Sequence, residues 1–74
     1  MNTEACENLG NAIIIKAAND YRAALRRLKR NPHNEVARRT ISEVEQFFRS
    51  DWYRLLTEVD GEYLIQRIRE EVGV

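Results

Sequence analysis

The chain has one cysteine, one proline, one histidine and three glycines in 74 residues. Cys6 alone cannot close an internal disulfide. Together with His33 it falls short of the four ligands of an ordinary structural zinc site, so no metal site is expected. A chain this short buries only about 60% of the surface its unfolded form exposes. With disulfide and metal both ruled out, close helix packing and self-association are the remaining routes to stability. No glycine-rich phosphate loop is present, and no cofactor is expected. The longest strongly apolar run is Ala12-Ile13-Ile14-Ile15, far short of the roughly 18 residues a membrane-spanning helix needs. The opening Met1-Asn2-Thr3-Glu4 lacks the basic start and apolar stretch of a secretory signal. A lone thiol suits a reducing compartment, and these features predict a cytoplasmic protein. No run of four or more residues alternates apolar and polar with β-branched enrichment, and no low-complexity segment occurs.

What is present is helical patterning. Charged residues are 32% and hydrophobic ones 43% of the chain, a globular rather than disordered balance. From Thr3 to Arg30, Ile14, Ala18, Tyr21, Leu25 and Leu28 are spaced 4-3-4-3, the stripe of a long helix. Ile13, Ala17 and Ala24 widen that stripe into a core-facing surface. Asn2 or Thr3 can cap its start, with Glu4 and Glu7 at the positive end of the helix dipole. Gly10 costs about 1 kcal/mol relative to Ala inside a helix, so fraying or a kink is expected in the first turns.

Asn31-Pro32-His33-Asn34 ends this helix, because proline disfavours helical geometry in the residue before it. Either asparagine can cap a second helix running from about Asn34 to Arg49. So short a connection makes the two helices antiparallel. Ala37, Ile41, Val44 and Phe48 form the second stripe, flanked by Val36 and Phe47, and it continues as Trp52, Leu55 and Val59. The step from Phe48 to Trp52 breaks the heptad register at Ser50-Asp51. Ser50 reads as the cap of a short third helix from Asp51 to about Thr57, a bent continuous helix being the alternative. Asp60 caps a final helix with the face Leu64, Ile65, Ile68 and Val72, and Gly73 ends it. The expectation is a single all-α domain: a long antiparallel helical hairpin closed by a short helix and a C-terminal helix.

Two resemblances add to this reading. The series Ala24-Leu25, Leu28, Asn31-Pro32-x-Asn34 and Ala37 resembles the join between two tetratricopeptide helices. A second copy at the 34-residue period, which such arrays need, is absent. Tyr21-Arg22-Ala23-Ala24-Leu25, Glu45-x-Phe47-Phe48-Arg49-Ser50-Asp51-Trp52-Tyr53 and Asp60-Gly61-Glu62-Tyr63-Leu64-Ile65 are similar to a group of short uncharacterised proteins of Firmicutes phages and integrated elements. FFRSDWY is the distinctive part. That resemblance implies a small helical accessory or host-interfering factor acting inside a bacterial cell, and no particular activity.

The candidate functional residues fall into three groups. Asp51, Glu58, Asp60 and Glu62 cluster closely enough for acid–base work, but two of them stand where caps are needed and two in polar positions. No enzyme is expected. Four of the six aromatic residues fall between Phe47 and Tyr53. Adjacent helical residues point about 100° apart, so they cannot all enter one core. The reading here buries Trp52 and leaves Tyr53 at the rim, with Phe47, Arg49, Trp52 and Tyr53 as the partner-binding residues of a non-catalytic interaction module. The wide first-helix face adds an expectation of a homo-oligomer. The alternative function rests on charge. Net charge is zero, yet residues 16–39 carry +6, residues 1–15 carry −2 and residues 40–74 carry −4. Arg22, Arg26, Arg27, Lys29, Arg30, Arg38 and Arg39 surround the first turn and form a candidate nucleic-acid site, unless the last helices neutralise them.

Overall fold

The computed structural model describes the backbone of residues 3–74 and the side chains from Gly10 onward. Expectations resting on Asn2, Glu4, Cys6, Glu7 and the Thr3 side chain lie outside the described residues. Four α-helices and no strand occur among them: α1 (Thr3–Arg30), α2 (Glu35–Phe48), α3 (Asp51–Leu56) and α4 (Gly61–Val72). The protein is all-α. α1 and α2 form an antiparallel hairpin, α4 packs against both, and α3 closes the end away from the hairpin turn. The result is a rod measuring 47 × 19 × 19 Å.

Local chemistry sets each helix end. α1 stops as the Asn31 side chain accepts from His33 N at 3.1 Å, folding the turn back on itself. Asn34 is the cap of α2, with extended backbone and a side chain accepting from Ala37 N at 3.0 Å. Ser50 serves two helices at once. Its hydroxyl donates to Phe47 O at 2.6 Å, satisfying a carbonyl at the end of α2, and accepts from Tyr53 N at 3.1 Å, starting α3. With φ −81° and ψ 159°, Ser50 has extended backbone, so α2 and α3 are two helices rather than one bent helix. Asp60 caps α4 through Glu62 N at 3.0 Å. Gly73 ends it at φ 85°, a left-handed conformation that glycine adopts without steric penalty. Caps of this kind are worth about 1 kcal/mol each.

The core consists of Tyr21, Ala24, Leu25, Ala37, Ile41, Phe48, Tyr53, Ile65, Ile68 and Val72. α2 and α4 present the same spacing to it: Ala37, Ile41, Val44 and Phe48 on one, Gly61, Ile65, Ile68 and Val72 on the other. α1 is continuous through Gly10, which is buried with Leu56 of α3 beside it. The stripe expected to continue past Phe48 does not. Trp52, Leu55 and Val59 are all exposed, because the extended backbone at Ser50 resets the helical phase and every position after it takes a new direction.

Candidate protein-interaction surface

The α2–α3 corner inverts the order expected from spacing. Tyr53 is only 1% exposed and Trp52 is 55% exposed. As third residue of a helix capped by Ser50, Tyr53 is turned inward. Its ring meets Phe47 and Phe48 edge-on at centroid distances of 5.7 and 5.6 Å. Burial, helped by the negative charge of Asp60, pushes its hydroxyl pKa up. That hydroxyl has no hydrogen-bond partner among the described residues. Tyr53 is therefore a core residue and cannot serve as a surface anchor.

Trp52 takes the outward position. It packs edge-on against Phe47 at 5.7 Å and closes one end of a shallow groove of about 230 Å³ between α1 and α2. Ile13, Ala17, Val44 and Phe47 line the floor, and Lys16, Asp20 and Glu43 line the rims. Lys16 and Asp20 pair with each other at 3.2 Å. Of the four partner-binding residues expected, the structure brings Phe47 and Trp52 together here. Arg49 points elsewhere, into an ion pair with Glu62 of α4.

A second, larger cavity of about 470 Å³ lies between the end of α2, α3 and the start of α4. Of the acidic cluster, Glu58, Asp60 and Glu62 line it and Asp51 does not, and three of the four carboxylates are engaged. Asp51 pairs with Arg54 at 2.9 Å, Asp60 caps α4, and Glu62 accepts from Arg49, which holds its carboxyl below the ordinary range.

A part-buried polar network that spacing along the chain does not show joins three helices. Tyr21 Oη donates to Glu45 Oε2 at 2.7 Å, Arg69 Nε donates to Tyr21 Oη at 3.0 Å, and an Arg69 terminal nitrogen reaches Glu45 Oε2 at 2.8 Å. It ties α1, α2 and α4 together through residues 24 and 48 positions apart. The only local signal was a carboxylate, Glu45, four residues after Ile41 on the inner side of α2. Burial pushes the Glu45 carboxyl up. Hydrogen bonds from Tyr21 and Arg69, with the charges of Arg69 and Arg49, outweigh that and hold it below 4.5. Burial first, and then the bond to Glu45, push the Tyr21 hydroxyl up to about 12.

These shifts predict two limbs in a stability–pH profile. Glu45 binds its proton more weakly when folded, so its contribution is complete well above pH 4.5 and is lost as pH falls below that value. Tyr21 holds its proton more tightly when folded, so stability is lost as pH rises from 10 towards about 12. Urea unfolding across pH should show Glu45→Gln flattening the acid limb and Tyr21→Phe the alkaline one. With Arg69 40% exposed, Glu45→Gln should cost about 1 kcal/mol near neutrality, at the screened end of a charged hydrogen bond's range.

The basic residues around the turn divide into two sets. Arg22 donates to Glu71 at 2.8 Å and to Asn19 at 2.9 Å. Lys29 Nζ donates to the Val72 carbonyl at 2.8 Å, closing the end of α4. The last helix thus takes up these two cations. Arg26, Arg27, Arg30, Arg38 and Arg39 are exposed and have no carboxylate partner among the described residues.

Compared with family models, curated proteins and solved structures, the chain matches none. Among the described residues, no helix is long and apolar enough to cross a membrane, and no group of acidic, histidine or cysteine side chains could hold a metal ion.

Proposed function

We propose that this protein is a non-catalytic protein-interaction module whose contact surface is the apolar groove between α1 and α2, closed by Trp52. The carrying observation is a large aromatic ring that is 55% exposed yet held edge-on by Phe47. A rigid ring of this kind buries much area on binding and loses little conformational freedom, which is why tryptophan is enriched among interface hot spots. The groove is shallow and mostly apolar, a shape that accepts one face of an amphipathic helix. A second copy of the chain is the occupant proposed first, since two such grooves, each carrying an exposed Trp52, can pair face to face about a two-fold axis, and the zero net charge opposes no self-association. The resemblance to short phage and mobile-element proteins supports a role as an accessory or host-interfering factor inside a bacterial cell.

Sedimentation tests this directly. The protein should exceed its 8.7 kDa monomer mass at micromolar concentration. Trp52→Ala should weaken association by about 30-fold, a hot-spot loss of roughly 2 kcal/mol, with its melting transition retained. A monomer across the micromolar range removes the second copy as occupant. If affinity capture from bacterial lysate then recovers the same proteins with Trp52→Ala as with the unaltered chain, the groove reading falls.

A further inference from the structure

We propose that the hairpin end of the rod docks on the phosphate backbone of double-stranded nucleic acid, without reading its sequence. The observation is the way ion pairing sorts the cations. Lys16, Arg22, Arg49, Arg54, Arg67 and Arg69 all have a carboxylate partner within 4 Å. Lys29 is held by the Val72 carbonyl. The five left over, Arg26, Arg27, Arg30, Arg38 and Arg39, all stand at the same end, on the last turn or so of α1 and the first turns of α2. The neutrality of the whole chain conceals a local concentration of charge.

Helix stability accounts for only part of this. Cations on the closing turn of α1 complement its dipole. Arg38 and Arg39 are near the positive end of α2, where a cation is disfavoured, and Glu35 is the one acidic residue in that first turn. Arg26 and Arg30 are also four apart on one helix, a spacing at which like charges repel. The end therefore carries repulsion that a polyanion relieves.

Three features select the polyanion. All five cations are arginines, whose planar fork grips phosphate oxygens bidentately. No Phe, Tyr or Trp lies between Arg22 and Gln46, so the small ring of His33 is all this end offers for stacking, and a single strand, which needs a platform of successive aromatic rings, is disfavoured. The rod as a whole is about 19 Å across, wider than a major groove of roughly 12 Å. Its hairpin end rides on the phosphates at the groove rims, where contacts position a protein but carry no base information.

The test is fluorescence anisotropy with a labelled mixed-sequence DNA duplex over a range of salt. With five phosphates neutralised, log K should fall against log salt with a slope of about −4.5, weakening binding roughly 500-fold between about 50 and 200 mM. Arg26→Gln, Arg30→Gln and Arg38→Gln combined should reduce the slope to about −2, with the melting transition unchanged because all three are exposed. Arg54→Gln with Arg67→Gln, away from this end, should leave the slope alone. A duplex RNA and a second DNA sequence should bind with the same slope. Absence of binding at low salt, or a slope the triple variant does not move, overturns the proposal. So does full displacement of duplex by polyglutamate at equal charge, which would mark the end as a docking point for acidic proteins.

Discussion

Tyr53→Ala should abolish cooperative unfolding, while Trp52→Ala, one residue away, should leave it intact. Truncating a buried large aromatic costs about 3–5 kcal/mol, from lost transfer energy and from the cavity that remains. Tyr53 is almost fully enclosed and meets two further rings edge-on, contacts worth roughly 0.5–1.5 kcal/mol each beyond their area. A chain of this size has little more than about 3–5 kcal/mol in total. Trp52 has more than half its surface in water already and should lose about 1–2 kcal/mol, less than full burial of such a ring would imply. Tyr53→Phe separates ring from hydroxyl. The hydroxyl is buried without a partner among the described residues, so its removal should be neutral or stabilising by up to about 1 kcal/mol. Thermal and urea melts of the three variants decide this. A Tyr53→Ala protein melting as cooperatively as the parent would show that the corner is not held by that ring.

Gly61→Ala should be about as damaging, against the usual rule that alanine improves a helix. A Cβ at position 61 would lie 1.9 Å from the Phe48 carbonyl oxygen and 2.8 Å from its carbon. Both atoms are backbone, so no rotamer change relieves the overlap and α4 must lift away from α2. Overpacking of this kind costs about 1–3 kcal/mol, and more where the backbone itself must move. Lifting α4 also loosens Ile65, Ile68 and Val72 in the core and withdraws Arg69 from Glu45. Gly10→Ala is the internal control. There a Cβ would meet Leu56 at 3.5–3.8 Å, an ordinary contact, inside a helix where glycine is unfavourable. It should gain about 0.5–1 kcal/mol. Melting temperatures moving in opposite directions would confirm the pair. A Gly61→Ala protein as stable as the parent would mean that α4 does not cross α2 this closely.

The outcomes at individual residues follow one physical division. Helix ends were legible because they are made within a few residues: Ser50, Asp60 and Gly73 occupy the capping positions their chemistry suggested, and of the two asparagines in the first turn Asn34 caps while Asn31 holds the turn. The stripes Tyr21-Leu25 and Ala37-Ile41-Phe48 were legible because helical period is a property of consecutive residues. The direction of Trp52 and Tyr53 was not. It depends on how the chain re-enters a helix after the extended backbone at Ser50, and a phase carried across that break turns the pair inside out. The candidate surface was half legible for the same reason: Phe47 and Trp52 were named for it, but Tyr53 belongs to the core and Arg49 to an ion pair.

The sequence by itself determined that this protein is all-α, that Ser50, Asp60 and Gly73 stand at helix ends, and that its positive charge gathers around one turn. These follow from local backbone sterics, capping and charge count. The tertiary structure alone decided which cations remain unpaired, that Glu45, Tyr21 and Arg69 share one network, and that only a glycine fits where α4 crosses the end of α2. Each of those depends on distances between residues far apart in the chain, which are set when the helices pack and not before.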